Sequence, residues 1–218
     1  MFAYPKQTEL NRQVPKAKIY AHGRLSKSVR ELFVSHLDEI TWKHKISPET
    51  LRMPARGGIN EIEVFELSAR TPDLGWDVVD AIDRAIPLPI LFQITYADSI
   101  RFAASYKRPS ESDSNKWVVE GRFMTSSQRV DAPRLSLPVA LDLETLYRKL
   151  VQAHIPLPPR EAESTSDLIV RFHAIEAKRR EFKQIEARLK KEPQFNKKVQ
   201  LNAELRSLSQ ALDQLTKL

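Results

Sequence analysis

The chain has no cysteine among its 218 residues, which excludes disulfides, thiol nucleophiles and thiolate metal sites. Glycine is scarce, at five residues. None of them stands in a P-loop or GxGxxG arrangement that could cradle a phosphate. There is no GxSxG elbow to present a nucleophilic serine. No run of about 18 apolar residues is available to cross a membrane. The first 20 residues are polar, are broken by Pro5 and Pro15, and lack the apolar stretch of a secretory signal. A cytoplasmic location without membrane contact is the expectation. The five histidines are His22, His36, His44, His154 and His173. None pairs with another at the i, i+4 spacing of a helical zinc site. No catalytic residue, metal or cofactor is expected from these patterns.

Charge is present in excess, and it is unevenly placed. The formal net charge is +7. Residues 1–24 carry Lys6, Arg12, Lys16, Lys18 and Arg24 against the single acid Glu9. Residues 160–218 carry 13 basic and 9 acidic side chains, whereas residues 25–159 are nearly balanced at 17 and 18. The basicity therefore belongs to the two ends, and such patches favour polyanions. The densest runs are Lys178, Arg179, Arg180 and Lys183, then Arg188, Lys190 and Lys191, then Lys197 and Lys198. Arg12, Lys16, Lys18, Lys178, Arg179, Arg180, Lys190, Lys191, Lys197 and Lys198 are the candidate nucleic-acid contacts. Stacking residues are sparse among them, since Phe182 and Phe195 are expected in an apolar seam. Backbone contact is thus favoured over base stacking.

Periodicity divides the chain. Residues 1–24 read as an extended basic arm, with a short strand over 17–21. Ser28 and Glu31 have capping-box spacing, and Val29, Phe33, Leu37 and Ile40 fall on one face of a helix that Trp42 closes. Residues 47–58 read as loop. Residues 59–69 read as a strand, with Ile62 and Val64 inward and Glu61 and Glu63 facing water. A short helix over 73–85 precedes a central strand over 90–96. Strands over 100–107 and 117–125 form an antiparallel hairpin. A helix over 142–153 buries Leu143, Leu146, Tyr147 and Leu150. Three prolines and small residues make 156–166 a linker. The core domain is 25–155, and the fold class is α+β, a mainly antiparallel sheet with flanking helices.

Residues 167–218 read as an antiparallel helical hairpin. Leu201, Leu205, Leu208, Leu212 and Leu215 are spaced 4, 3, 4, 3, an a/d seam. Leu168, Phe172, Ile175, Phe182, Ile185 and Leu189 match it on the preceding helix. Pro193 separates the two. Two facing seams suffice to fold the hairpin on itself, although such a seam can also pair two copies into a homodimer.

One enzymatic alternative is a metal-dependent nuclease, which needs two acids and a basic residue converging from adjacent strands. Glu61, Glu63, Glu66, Glu120 and Arg122 are the candidates, with Asp98 and Lys107 near the middle strands. No acid-any-Lys triplet follows a paired acid on a strand.

The segments TELNRQVPKAKIY (8–20), IPLPILF (86–92), ASYK (104–107) and QFNKKVQLNAEL (194–205) occur in an order and spacing that resembles domain-of-unknown-function family 4391. The resemblance spans nearly the whole chain and carries no catalytic residues. It implies a setting beside helicase and DNA methyltransferase genes, as in restriction-modification or phage-defence clusters. The expected function is an accessory subunit of such a complex, with a helicase or methyltransferase subunit and DNA as partners.

Overall fold

The computed structural model describes residues 1–23, 25–110, 112–113 and 116–217. The chain divides into two compact units, Met1–His154 and Ile155–Leu218. The architecture is mixed α+β: one mostly antiparallel sheet with flanking helices, and a C-terminal pair of packed helices. Among the described residues, no helix is long and apolar enough to cross a membrane.

Six strands lie across the sheet in chain order: β1 (Glu9–Gln13), β2 (Leu37–Ile46), β3 (Ile62–Ala69), β4 (Ile90–Tyr96), β5 (Ser99–Pro109) and β6 (Trp117–Met124). A short β7 (Gln128–Arg129) pairs with β5. Neighbours run antiparallel except β3 and β4, which are parallel. A parallel step requires a crossover, and helix α4 (Trp76–Ala85) provides it. The expected strand over 90–96 is β4 residue for residue. On one face Ile40, Phe65, Leu67, Phe92 and Ala103 pack with α1 (Lys16–Gly23), α2 (Lys27–Ser35) and α4. A short helix, α3 (Pro48–Leu51), follows β2.

The opposite face carries α5 (Leu143–Gln152), N-capped by Asp142, whose side chain accepts from Thr145 N. Leu143, Leu146, Tyr147 and Leu150 are buried, as the spacing predicts. The β5–β6 register shifts between Tyr106 and Lys107. The Tyr147 hydroxyl serves that irregularity, accepting from Lys107 N at 2.8 Å and donating to Ser105 O at 2.7 Å.

Three sequence expectations need correction. Residues 9–13 are an edge strand of the sheet and 16–23 a helix, where an extended arm with a strand over 17–21 was expected. Pro15 acts as a helix start, its carbonyl accepting from Lys18 N, as proline commonly does beside a first turn. The helix from Ser28 ends at Ser35, and its N-cap is Ser26, not Ser28. Leu37, Ile40 and Trp42 lie in β2 instead. Two register shifts in β2 break the alternation, so Leu37, Ile40 and His44 are buried at spacings of three and four. Bulges thus imitate a helical period in a strand. Finally, residues 48–51 of the expected loop are α3, closed by a Ser47–Thr50 capping box.

In the second unit, α6 (Thr165–Lys191) and α7 (Phe195–Thr216) form the hairpin. Ile185, Leu201 and Leu208 make its small core, with Phe182, Leu189 and Leu205 packed on it. The seam therefore closes within one chain. At the base, Arg171 donates to both carboxylate oxygens of Glu163 (2.6 and 2.7 Å) and to Leu215 O (3.0 Å). Arg160 donates to Lys217 O and Gln214 O (2.9 and 2.7 Å). These guanidinium groups satisfy the orphan carbonyls at the C-terminus of α7. Residues of the expected 156–166 linker thus hold the hairpin base.

Candidate functional site

Two places concentrate chemistry, one in each unit. The first is the tip of the hairpin. Arg188, Lys190, Lys191, Lys197 and Lys198 are all exposed. Lys190 lies 3.6 Å from Glu186, and among the described residues Lys191, Lys197 and Lys198 have no ion-pair partner. Farther down α6, Lys178 is half-buried, Arg179 pairs with Glu176 at 3.0 Å, and Arg180 is exposed. Phe195 is 78% and Val199 53% exposed, so Phe195 stands outside the seam where it was expected. Six residues before Leu201, it lies roughly 120° round the helix from the seam. Asn202 faces solvent and donates to Lys198 O.

The N-terminal candidates separate. Arg12 and Lys18 are exposed. Lys16 instead donates to Phe33 O (2.9 Å) and Leu37 O (2.5 Å), closing the end of α2 onto the start of β2. Burial lowers its pKa, helped by Arg70 and opposed by Asp38. Its ammonium is committed to the fold.

Arg12 and Lys18 line the second place, a cavity of about 310 Å³ in the first unit. Val14, Ile19, Ile86 and Leu88 supply apolar walls. Trp42 and Phe65 form a parallel aromatic pair, with centroids 6.2 Å apart and planes 3° from parallel. The polar lining is Arg12, Lys18 and His22 together with Glu61 and Glu63.

Glu63 is the unexpected member. Its alternation with Ile62 and Val64 suggested a water-facing carboxylate, but it is only 1% exposed. β3 is an interior strand covered on both faces, so alternation does not export its polar residues. Trp42 Nε1 donates to Glu63 Oε2 at 2.5 Å, whereas the buried Oε1 has no donor. The Glu61 carboxyl also acts on Glu63 and disfavours its charged form. Burial, then Glu61, pushes the Glu63 pKa up to about 8, against the pull of the Trp42 bond. Lys45 holds Glu61 from outside at 2.9 Å. Burial and the neighbouring Glu61 thus favour the neutral form of Glu63 beside the cavity.

The remaining acid candidates do not join it. Glu66 has the opposite strand parity to Glu63 and lies 3.9 Å from Lys43. Glu120 is paired with Arg108, and Arg122 with Asp80 at 2.8 Å. Both sit on β6, three strand spacings or about 14 Å from β3, far beyond the reach of a shared cation with ligands near 2.0–2.6 Å. Asp98 is exposed in the β4–β5 turn. Lys107 is buried against Asp83, 2.7 Å from its Oδ1, and also donates to the Asp83 and Leu88 carbonyls. Burial raises Asp83 and lowers Lys107, each opposed by the other's charge. Two Lys107 donors go to carbonyls, and the ammonium is ion-paired with Asp83. Among the described residues, no group of three or more His, Asp or Glu side chains is placed to hold a metal ion.

The family model described as Domain of unknown function (DUF4391) matches residues 2–212. The chain belongs to the DUF4391 family. That match covers both units, so the cavity and nearly all of the hairpin are parts of one family module. No curated protein and no solved structure matches the chain.

Proposed function

We propose that this DUF4391 protein is an accessory, non-enzymatic subunit of a helicase- or methyltransferase-type DNA-processing or phage-defence complex. It docks on the partner subunit through its hairpin and touches the DNA backbone with the basic tip. One observation carries the DNA contact: Lys191, Lys197 and Lys198 are exposed and without ion-pair partners at the end of a hairpin whose base is fixed. Basic side chains held this way release counterions when they meet phosphates, giving sequence-independent, salt-sensitive binding. The stiffness matters as well, because a pre-ordered arm loses little entropy on binding.

The test is anisotropy of a labelled duplex titrated with the full protein over a range of salt. Binding should weaken linearly in log–log form, and scrambled sequences should bind alike. A salt-independent affinity sinks the DNA contact. For docking, the full protein is co-expressed with the neighbouring helicase and methyltransferase. Co-purification that survives deletion of residues 165–218 sinks the hairpin as the docking element.

A further inference from the structure

The hairpin tip carries more than charge. Phe195 was expected in the leucine seam, where it would meet no ligand, yet it is 78% exposed, and Val199 one turn on is 53% exposed. Phe195, Val199, Asn202 and Arg206 are spaced 4, 3, 4, and all four are exposed. They form a second stripe on α7, separate from the seam of Leu201, Leu205 and Leu208. Lys198, three residues after Phe195, borders it. The stripe runs roughly 16 Å along the helix, enough for a few nucleotides of a strand at about 3.4 Å each. The acids nearest the tip are engaged: Glu186 lies 3.6 Å from Lys190, and Glu192 Oε1 accepts from Gln194 N at 2.9 Å. A Phe left this exposed adds little to the stability of the hairpin, so its ring is open to a partner.

An aromatic ring in a positive setting suits an acidic protein face or a nucleic-acid strand. The cores of protein interfaces are depleted in lysine. Here two apolar side chains stand among Lys191, Lys197, Lys198 and Arg206, all exposed, which favours the strand. A basic track for phosphates beside an aromatic for a base is the arrangement used by sequence-independent single-strand binders. A duplex keeps its base faces stacked inside and gives Phe195 nothing to cover. We propose that the hairpin tip binds a single-stranded segment of DNA, with a base stacked on Phe195, Val199 extending that apolar contact, and phosphates on Lys197, Lys198 and Arg206. The assignment rests on the DNA contact proposed above and names the form of DNA that completes it. Every base has a π-face, so the stacking adds affinity without sequence preference. Unpaired strands of this kind are what a strand-separating partner exposes.

The test is the ratio of single-strand to duplex affinity, measured by anisotropy at one salt concentration. The full protein is titrated into a labelled thymine-only strand and into a labelled duplex of the same length. Phe195→Ala should lower that ratio at least about fivefold, the lower end of what one stacked base contributes. Phe195→Trp should hold or raise the ratio and Phe195→Leu should lower it, a distinction that stacking makes and plain apolar contact does not. Position 195 is exposed, and duplex binding in the same titrations reports that each variant is folded. Reversing Lys197 and Lys198 to Glu should weaken both forms and reduce their salt dependence. A ratio indifferent to Phe195→Ala overturns the proposal and leaves the backbone contact with duplex standing. Equal ratios for Phe195→Trp and Phe195→Leu overturn it as well. Loss of helicase or methyltransferase co-purification in Phe195→Ala, with the ratio unchanged, assigns the stripe to a protein instead. Salt-sensitive binding to neither form sinks the DNA contact itself, so the two readings fail separately.

Discussion

The two basic ends of the chain look alike by count and differ in the folded protein. In the N-terminal 24 residues the positive charge is drawn into a folded domain. Lys16 closes a helix end, while Arg12 and Lys18 line a cavity. In the hairpin the division falls along the length of the helices. At the base, Arg171 is 5% exposed and locked to Glu163 and Leu215. At the tip, the lysines are exposed and three of them lack an ion-pair partner among the described residues. A positive residue is thus a structural clamp, part of a cavity lining or an exposed surface charge depending on which acceptor oxygens lie near it. Net charge by segment cannot separate these roles, because it counts heads and not acceptors.

Substitutions can break that distinction, beginning with the largest effect. Arg171→Ala should destabilise the hairpin by about 3 kcal/mol, since it leaves a mostly buried Glu163 carboxylate and α7 carbonyls without their donor. Urea denaturation, with hydrogen exchange at residues 208–216, measures it; exchange unchanged there would show that the clamp is ornamental. Reversing Lys190, Lys191, Lys197 and Lys198 together to Glu should leave stability within about 0.5 kcal/mol. It should lower the log–log salt slope of duplex binding by up to about 3–4. A slope that does not change relocates the DNA contact.

A third, smaller effect is set by Glu63. Its pKa rises from 4.5 to about 8 on folding, so the folded state holds a proton that the unfolded chain gives up. Its contribution to stability is fully present below about pH 4.5 and is lost as the pH rises towards 8. His154 acts in the opposite direction lower down. Burial depresses its pKa from 6.5 to about 4, so its contribution is present above 6.5 and lost as the pH falls through 4. The difference in stability between the native protein and Glu63→Gln should therefore shift against the native protein between pH 5 and 8, while the His154 contribution cancels. Melting curves over that range decide, and a constant difference would refute the buried proton. The smallest effect is expected from Lys16→Met, which removes two hydrogen bonds to carbonyls and costs about 1 kcal/mol. Lys16→Met should leave the salt slope of DNA binding unchanged; a reduced slope would return Lys16 to the phosphate contacts.

The seam of α6 and α7 and the helix α5 were legible from a clean period with a capping or breaking residue nearby, and the strand β4 from a short, nearly continuous apolar run. β2 was not, since its two register shifts space Leu37, Ile40 and His44 like a helix. α1 was not, because it buries only Ile19 and so leaves no periodic signature. Arg12 and Lys18 could be picked out by charge but not assigned to a cavity, whose walls come from four separate segments. Glu63 did leave a trace. Phe65 and Leu67 share its parity along β3, so the face it was assigned to water was already apolar.

The sequence by itself determined what local chemistry can encode: a sheet domain followed by a helical hairpin, and a positive charge gathered at the two ends. Period, capping and proline act over a few residues and need no distant partner. Only the tertiary structure decided which charges are spent. Lys16 met the carbonyls of Phe33 and Leu37, Arg171 met Glu163 and Leu215, and Glu63 met Trp42 and Glu61, most of them through contacts across tens of residues. Burial and pairing set the state of an ionisable group, and both are properties of the packed chain. The tip lysines kept their charge available for the same reason, since a helix turn projecting away from its own base finds no acceptor to take it.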